Sequence, residues 1–285
     1  MSETAAPEVL TEVVDGVLIV TINRPDAKNA MTRAAAEGIA AAMDRLDAED
    51  DLRVGILTGA GGTFCSGMDL KGFLRGERPT VEGRGFGGVV EAPPKKPLIA
   101  AVEGYALAGG LELMIACDLV VAHAGAKFGI PEVKRGLVAA AGGVMMLPDQ
   151  IPQRVAMELA LTGDFVSAGR AYELGLVNQV VAPDALLAAA SALAQHIVQA
   201  APLAVMRQHA GVQRVGVGQD HVAARAQRVD AGALCRRAAL ERRGARRPRR
   251  RAGRGRAEAA RRTEVGRHRP RRRCCRPGRS PAARP

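Results

Sequence analysis

The segment AAVEGYALAGGLELMIACDLVVA (residues 100–122) passes from a β-rich run into a glycine pair, then an apolar run of helical length, then a second β-rich run. The first run begins at Pro97-Leu98-Ile99 and the second, DLVVAH, ends at His123. A strand, a glycine-opened helix and another strand, in that order, are a unit of layered α/β cores. Glu112 is out of place in it. Burying a carboxylate costs on the order of several kcal/mol unless neighbours stabilise it or the group is kept for chemistry. Taken alone, Glu112 is also explained as a charge at a helix N-terminus, favoured there by the dipole.

The chain on either side follows the same alternation. LTEVVDGVLIVTINRP (10–25) places two β-rich runs around Asp15-Gly16, a dipeptide suited to a tight hairpin turn. NAMTRAAAEGIAAAMDRLDA (29–48) has apolar residues at helical spacing, and VGILTGAG (54–61) reads as a buried strand. Residues 74–96 are polar, irregular and rich in Gly and Pro, which predicts a mobile surface excursion. Beyond Gly142-Gly143 the pattern predicts helices in place of strands, over about Gln153–Thr162, Ser167–Leu174 and Ala185–Ala200. Ala201-Pro202 marks a break, and a further helix is expected over about Arg214–Cys235. No internal repeat is present.

Composition misleads until the charge is located. The 285 residues carry a net charge of +12 with pI near 10.3, values that suggest a partner such as nucleic acid or an anionic membrane. Residues 236–285, however, hold 21 Arg against three Glu, which leaves 20 basic and 26 acidic residues, a net of −6, in 1–235. The body is therefore mildly acidic, and nucleic acid is not its expected partner except through the tail. That tail has almost no large aliphatic residues and no apolar period, so it is expected to be disordered. Two readings fit it: a basic arm for RNA or anionic surfaces, or the out-of-frame translation of a GC-rich gene that has displaced the authentic C-terminus.

No run of about 18 apolar residues is free of charges and turn residues, and MSETAAPE is acidic where a signal peptide is basic, so a cytoplasmic protein with no membrane partner is expected. The five Cys lack metal-ligand spacing and the five His are scattered, so no metal site is expected and reduced thiols are. Cys65 and Cys117 read as small core residues.

Two Gly-containing turns, CSGMDLKGF (65–73) and ALAGGLEL (106–113), each lead into a helix-like run. The first N–H groups of a helix are unpaired, and the dipole favours negative charge there. Two such donors would stabilise the oxyanion that grows on a thioester carbonyl as an enolate forms, each worth about 3 kcal/mol. At this point the residues resemble a known family. INRPDAKNAM (22–31), GGTFCSGMDLKGF (61–73), the 100–122 segment, AKFGIPEVKRGLVAAAGG (126–143) and LTGDFVSAGRAYELGLVNQVV (161–181), in this order, resemble the crotonase, or enoyl-CoA hydratase/isomerase, superfamily across about residues 8–215.

The resemblance implies an α/β fold, a crotonase-like ββα spiral core (1–198) followed by a C-terminal helical region (199–235), with the Arg-rich tail (236–285) outside both. It implies oxyanion-hole amides on Met68 and Gly109 and paired catalytic carboxylates on Glu112 and Glu132, the set of the two-glutamate enoyl-CoA hydratases. Lys28, Ser66, Gly67, Asp69, Lys71 and Gly110 are the residues expected beside the acyl-CoA thioester. Among them Asp69 also reads as a helix cap, and Lys28 and Lys71 as solvated lysines.

The implied reaction is the addition of water to a 2-enoyl-CoA, with CoA part of the substrate and no separate cofactor. Enoyl-CoA isomerisation, another acyl-CoA lyase reaction, or an inactive or RNA-associated homologue using the basic tail are the alternatives. A homotrimer or a hexamer built as a dimer of trimers is implied where the C-terminal helices form. Met68 stands where a small residue is common and Ala108 where a glycine is, the latter with little consequence expected; after about Val212 the chain no longer follows the family pattern.

Overall fold

The computed structural model describes residues 6–216. Its centre is a six-stranded sheet of β1 (Val9–Val14), β2 (Val17–Ile22), β3 (Val54–Gly59), β6 (Leu98–Val102), β8 (Leu119–His123) and β11 (Gln179–Val181), side by side in that order. β1 and β2 are antiparallel and every later neighbour is parallel. Asp15 and Gly16 close the hairpin with positive φ at both positions (47° and 78°), the conformation a tight two-residue turn demands.

The four inner strands, β2, β3, β6 and β8, are buried on both faces, as parallel strands are, while the edge strand β1 is largely exposed. Alternate residues therefore serve two cores. Leu18, Val20, Ile22, Leu57, Ala100, Val102 and Val120 face α1 (Arg33–Ala48) and α3 (Gly109–Ile115). Val17, Ile19, Val54, Ile56, Ile99, Ala101 and Val121 face Leu186, Ala190 and Ala194 of α7 (Leu186–Val198). α1 begins later than its apolar spacing suggests. Thr32 is its N-cap, accepting from Ala35 N–H at 3.1 Å, while Asn29 sits in the left-handed region at φ 53°. Asn29 is fully buried and donates to the carbonyls of Ala60 and Thr63, so residues 29–31 form a wired turn and not a first helical turn.

Residues 74–96 depart from expectation. α2 (Leu70–Leu74) leads into a small hairpin of β4 (Thr80–Val81) and β5 (Gly85–Phe86), and Val89 and Val90 are buried in the core. Gly88 lies against α1 so closely that a Cβ would come within 2.2 Å of the Ala36 carbonyl oxygen. The polar sequence misleads because its few apolar residues, not a period, make the contacts.

Strands also persist beyond Gly142-Gly143. β7 (Tyr105–Leu107), β9 (Lys127–Gly129) and β10 (Val166–Ser167) form a second, three-stranded sheet, and β11 closes the edge of the first. These strands are two or three residues long, too short to show alternation. Between them run α4 (Gly143–Gln150), α5 (Gln153–Thr162) and α6 (Ala168–Glu173), the last capped by Ser167.

α8 (Pro202–Gly216) starts at the expected break. His209 on this helix contacts the Asp118 carboxylate at 2.7 Å and the Lys95 carbonyl at 3.0 Å, and Gln213 donates to Asp118 at 3.1 Å. The remainder of the helix expected over 214–235, and the Arg-rich tail with both of its readings, lie outside the described residues. Among the described residues no single helix is long and apolar enough to cross a membrane.

Candidate active site

Two turns meet at the C-terminal ends of the central strands. Cys65 N–H donates to the Tyr105 carbonyl at 2.8 Å and Leu107 N–H to the Cys65 carbonyl at 3.1 Å, a parallel bridge that zips the 65–69 loop to β7 and the head of α3. Gly67 has φ +104°, and a Cβ there would lie 2.9 Å from Ala108 Cβ and 3.4 Å from Gly109 N. Both backbone and space therefore require glycine before Met68. Across the bridge a Cβ on Gly110 would come within 2.1 Å of the Cys65 carbonyl oxygen, so only glycine lets the helix head approach the loop.

The amides of Met68 and Gly109 are thus carried on touching turns. Among the described residues neither N–H has an acceptor within the protein. Buried or half-buried N–H groups left over in this way are donors for a ligand. Ala108, the α3 N-cap, has φ 53° and ψ −127°, a conformation that glycine adopts freely and alanine does not. Alanine there therefore carries backbone strain, contrary to the expectation of little consequence. The Phe86 ring packs against Gly109, where a Cβ would meet its Cζ at 2.3 Å, and so walls the donor from the β5 side.

Glu112 lies one turn into α3 and is 4% exposed. Its Oε1 accepts from the N–H groups of Ala141 and Gly143, both at 2.8 Å, at the head of α4. Burial pushes its carboxyl up to about 7; the charge of Glu132 also raises it, while the Gly143 and Ala141 amides pull it down. Glu132 follows Pro131 in a short 3-10 turn, Pro131–Arg135, and burial pushes it up to about 6. Its Oε2 is buried and, among the described residues, has no hydrogen-bond partner. Glu132 lines a cavity of about 130 Å3 whose other walls are aliphatic: Ile130, Val133, Leu137, Val138, Ala139, Val144 and Ala160. The structure therefore sets two raised carboxyls together, one of them lining an apolar cavity, and carries the two free amides on the turns at the head of the helix that holds Glu112.

The remaining expected residues divide. Ser66 N–H donates to the Lys28 carbonyl at 3.1 Å, which ties both to the rim of the 65–68 turn, and the Lys28 ammonium stands 5.4 Å from the centroid of the Tyr105 ring. Lys71 is exposed on α2. Asp69 is the N-cap of that helix: Oδ1 accepts from the N–H groups of Lys71 and Gly72, and Oδ2 is bound by Arg24 at 3.0 Å. The Gly72 amide, with Arg24, holds its carboxyl below the usual carboxylate range. Both oxygens are engaged within the protein. Cys65 and Cys117 are buried free thiols, and burial pushes Cys65 up to about 12, so neither is a nucleophile near neutral pH. Arg24, Asn29, Phe86 and the amides of Ala141 and Gly143 escape sequence reasoning because each acts across a distance in sequence that no local pattern encodes.

Comparison with known proteins gives one consistent set. A family model described as enoyl-CoA hydratase/isomerase matches residues 12–230. The chain is 40% identical over 209 residues to (E)-benzylidenesuccinyl-CoA hydratase of Thauera aromatica, covering 69% of this chain and 78% of that protein. It is 42% identical over 210 residues to enoyl-CoA hydratase EchA19 of Mycobacterium tuberculosis, covering 70% and 78%. Among solved structures, enoyl-CoA hydratase EchA1 of Mycobacterium marinum is similar with a TM-score of 0.72 and 53% identity, over 86% of this chain and 98% of that one.

Proposed function

The chain belongs to the enoyl-CoA hydratase/isomerase family, a crotonase-fold group, and from that premise we propose that it is a hydro-lyase that adds water across the double bond of a 2-enoyl-CoA, with Glu112 as its base and Glu132 as its acid. The observation that carries this reading is the orphaned, buried Oε2 of Glu132, a residue that lines an aliphatic cavity, with a second buried carboxyl near enough for its charge to be felt. A buried, unpaired polar atom is costly to the fold, and its retention is understood if substrate or water completes it.

The thioester carbonyl oxygen accepts from Met68 and Gly109 N–H, which lowers the cost of enolate character on the way to product. Between about pH 6 and about pH 7 the two raised carboxyls hold about one proton between them, in the free protein more of it on Glu112 than on Glu132. Once substrate covers Glu132 and raises it above Glu112, Glu112, whose ionised form the two amide donors hold, takes a proton from water as the oxygen bonds to C3. The π electrons of the C2–C3 double bond move toward the carbonyl, and the protonated Glu132 delivers its proton to C2. Glu132 favours the acid form once the acyl chain fills the aliphatic cavity and excludes water from it. One water is consumed, and transfer of the proton from Glu112 to Glu132 restores the site. No redox step or separate cofactor enters this balance.

The test is product identity. Incubation with crotonyl-CoA yields a product heavier by one water with hydroxyl at C3, and a 3-enoyl-CoA of the same length is not converted to the 2-enoyl isomer at a comparable rate. Rapid double-bond migration without hydration would replace this reading with an isomerase.

A further inference from the structure

Arg24 makes contacts that neither a surface residue nor a simple core residue would make. Its Nε meets Glu8 Oε1 at 3.0 Å, its Nη2 meets Asp69 Oδ2 at 3.0 Å, and its Nη1 donates to the Ala30 carbonyl. The side chains of Arg24 and Asp69 are 18% and 17% exposed, so the pair is shielded from solvent more than most surface ion pairs. Arg24 N–H also donates to Asn29 Oδ1 at 2.8 Å, and Asn29 in turn holds the carbonyls of Ala60 and Thr63. The guanidinium therefore stands at the hub of the 24–31 turn.

That turn grips the loop bearing Met68 from both sides. Met31 N–H donates to the Gly67 carbonyl at 2.7 Å, and Asp69 N–H donates to the Met31 carbonyl at 3.0 Å. Gly67 N–H lies 3.4 Å from Cys65 Sγ. In 67–69 the amides of Gly67 and Asp69 are thus occupied and the Met68 N–H is the donor left over. The strength of a hydrogen bond falls steeply with misalignment, so the direction of this one N–H depends on how firmly its two neighbours are held.

We infer that Arg24 is a positioning residue for the oxyanion site: through its fork to Asp69 and the Ala30 carbonyl it fixes the direction of the Met68 N–H toward the substrate carbonyl. This rests on the reading of Met68 as a carbonyl donor. A planar guanidinium can hold Glu8, Asp69 and Ala30 at once, whereas an ammonium at the same point cannot match that fork. Asn at 69 keeps the helix cap, since Asn and Asp cap equally well, and loses only the charge that engages Arg24. Arg24→Lys and Asp69→Asn therefore separate positioning from folding.

The direct readout is the carbonyl stretch of bound butanoyl-CoA isotope-labelled at its thioester carbonyl, a saturated ester that cannot be hydrated. In the parent protein the stretch moves to lower frequency than in free solution. In Arg24→Lys and Asp69→Asn at saturating ester, at least about half of that shift is lost, and kcat for crotonyl-CoA hydration falls about tenfold with KM changed less than about threefold. The double variant is no worse than Arg24→Lys alone, because that single change already breaks the contact that Asp69→Asn breaks. Full parental shift and kcat in both variants, whatever happens to their melting temperatures, would overturn the inference, as would the absence of any shift in the parent. Glu112→Gln separates the two levels. It keeps the shift while losing hydration, so a failure of the two-glutamate mechanism shows in its rate and leaves the carbonyl measurement to judge Arg24.

Discussion

Replacing Glu112 with Gln raises the stability of the protein above neutral pH. The carboxyl is ordinary at 4.5 in an unfolded chain and about 7 in the fold, with burial the largest cause. Between those two values the folded state binds more protons than the unfolded state, so stability falls as pH rises through this window, the reverse of the usual salt-bridged carboxylate. A difference of this size corresponds to about 3 kcal/mol, fully expressed above pH 7 and absent below the unfolded value. Gln has the shape of the protonated acid, and its carbonyl still accepts from Ala141 and Gly143. The variant should therefore match the parent within about 1 kcal/mol at pH 5 and exceed it by about 3 kcal/mol at pH 8.5. In urea, at about 1–3 kcal/mol per molar, that is a rise of one or more molar in the midpoint. Urea unfolding followed by far-UV circular dichroism at both pH values measures it. A variant no more stable than the parent at pH 8.5, or one whose advantage is the same at both pH values, would refute the assignment of a desolvated, ionising carboxylate at this position.

Other expectations follow from single observations. Ala108→Gly relieves a backbone at φ 53° and ψ −127° and should raise stability by about 1 kcal/mol after the extra chain entropy of glycine is subtracted, measured by the same unfolding assay; a loss would contradict the strain. His209 has a carbonyl at Nδ1 and a carboxylate at Nε2, contacts that both ask for N–H, and its pKa is raised chiefly by the Asp118 hydrogen bond. Its stabilisation is fully present below about pH 6.5 and is lost as pH rises through the folded value, so His209→Ala should cost more at pH 6 than at pH 9; an equal cost at both would remove the charged pair from the account. The pH dependence of kcat/KM for hydration should be a narrow bell centred between about 6 and about 7, since one proton on the pair is the working state; a plateau reaching down to pH 4.5 would show that the raised carboxyls are not the ones that act.

What the sequence discloses of this molecule is what local pattern can carry. Asp15-Gly16 marks the first hairpin because two positive φ values in succession leave few other residue choices, and Gly109-Gly110 marks the helix head because Gly110 must pass the Cys65 carbonyl. Glu112 is conspicuous because a carboxylate interrupts an apolar run. The short strands of the second sheet are hidden, since two or three residues show no period and their pairing is decided by partners far along the chain. The start of α1 is misplaced for a related reason: Ala30 and Met31 fit a helix, but Asn29 is taken by Ala60 and Thr63. Arg24 reads as an ordinary residue before a proline. Its meaning lies in Asp69, a contact 45 residues away.

The rate of crotonyl-CoA hydration in Glu112→Gln and Glu132→Gln, followed by loss of the enoyl-thioester absorbance, tests the central claim most directly. Both variants keep the Met68 and Gly109 amides and the aliphatic cavity, so each should bind CoA ester nearly as the parent does while kcat falls by about a hundredfold or more. Near-parental kcat in either variant would contradict the two-glutamate mechanism.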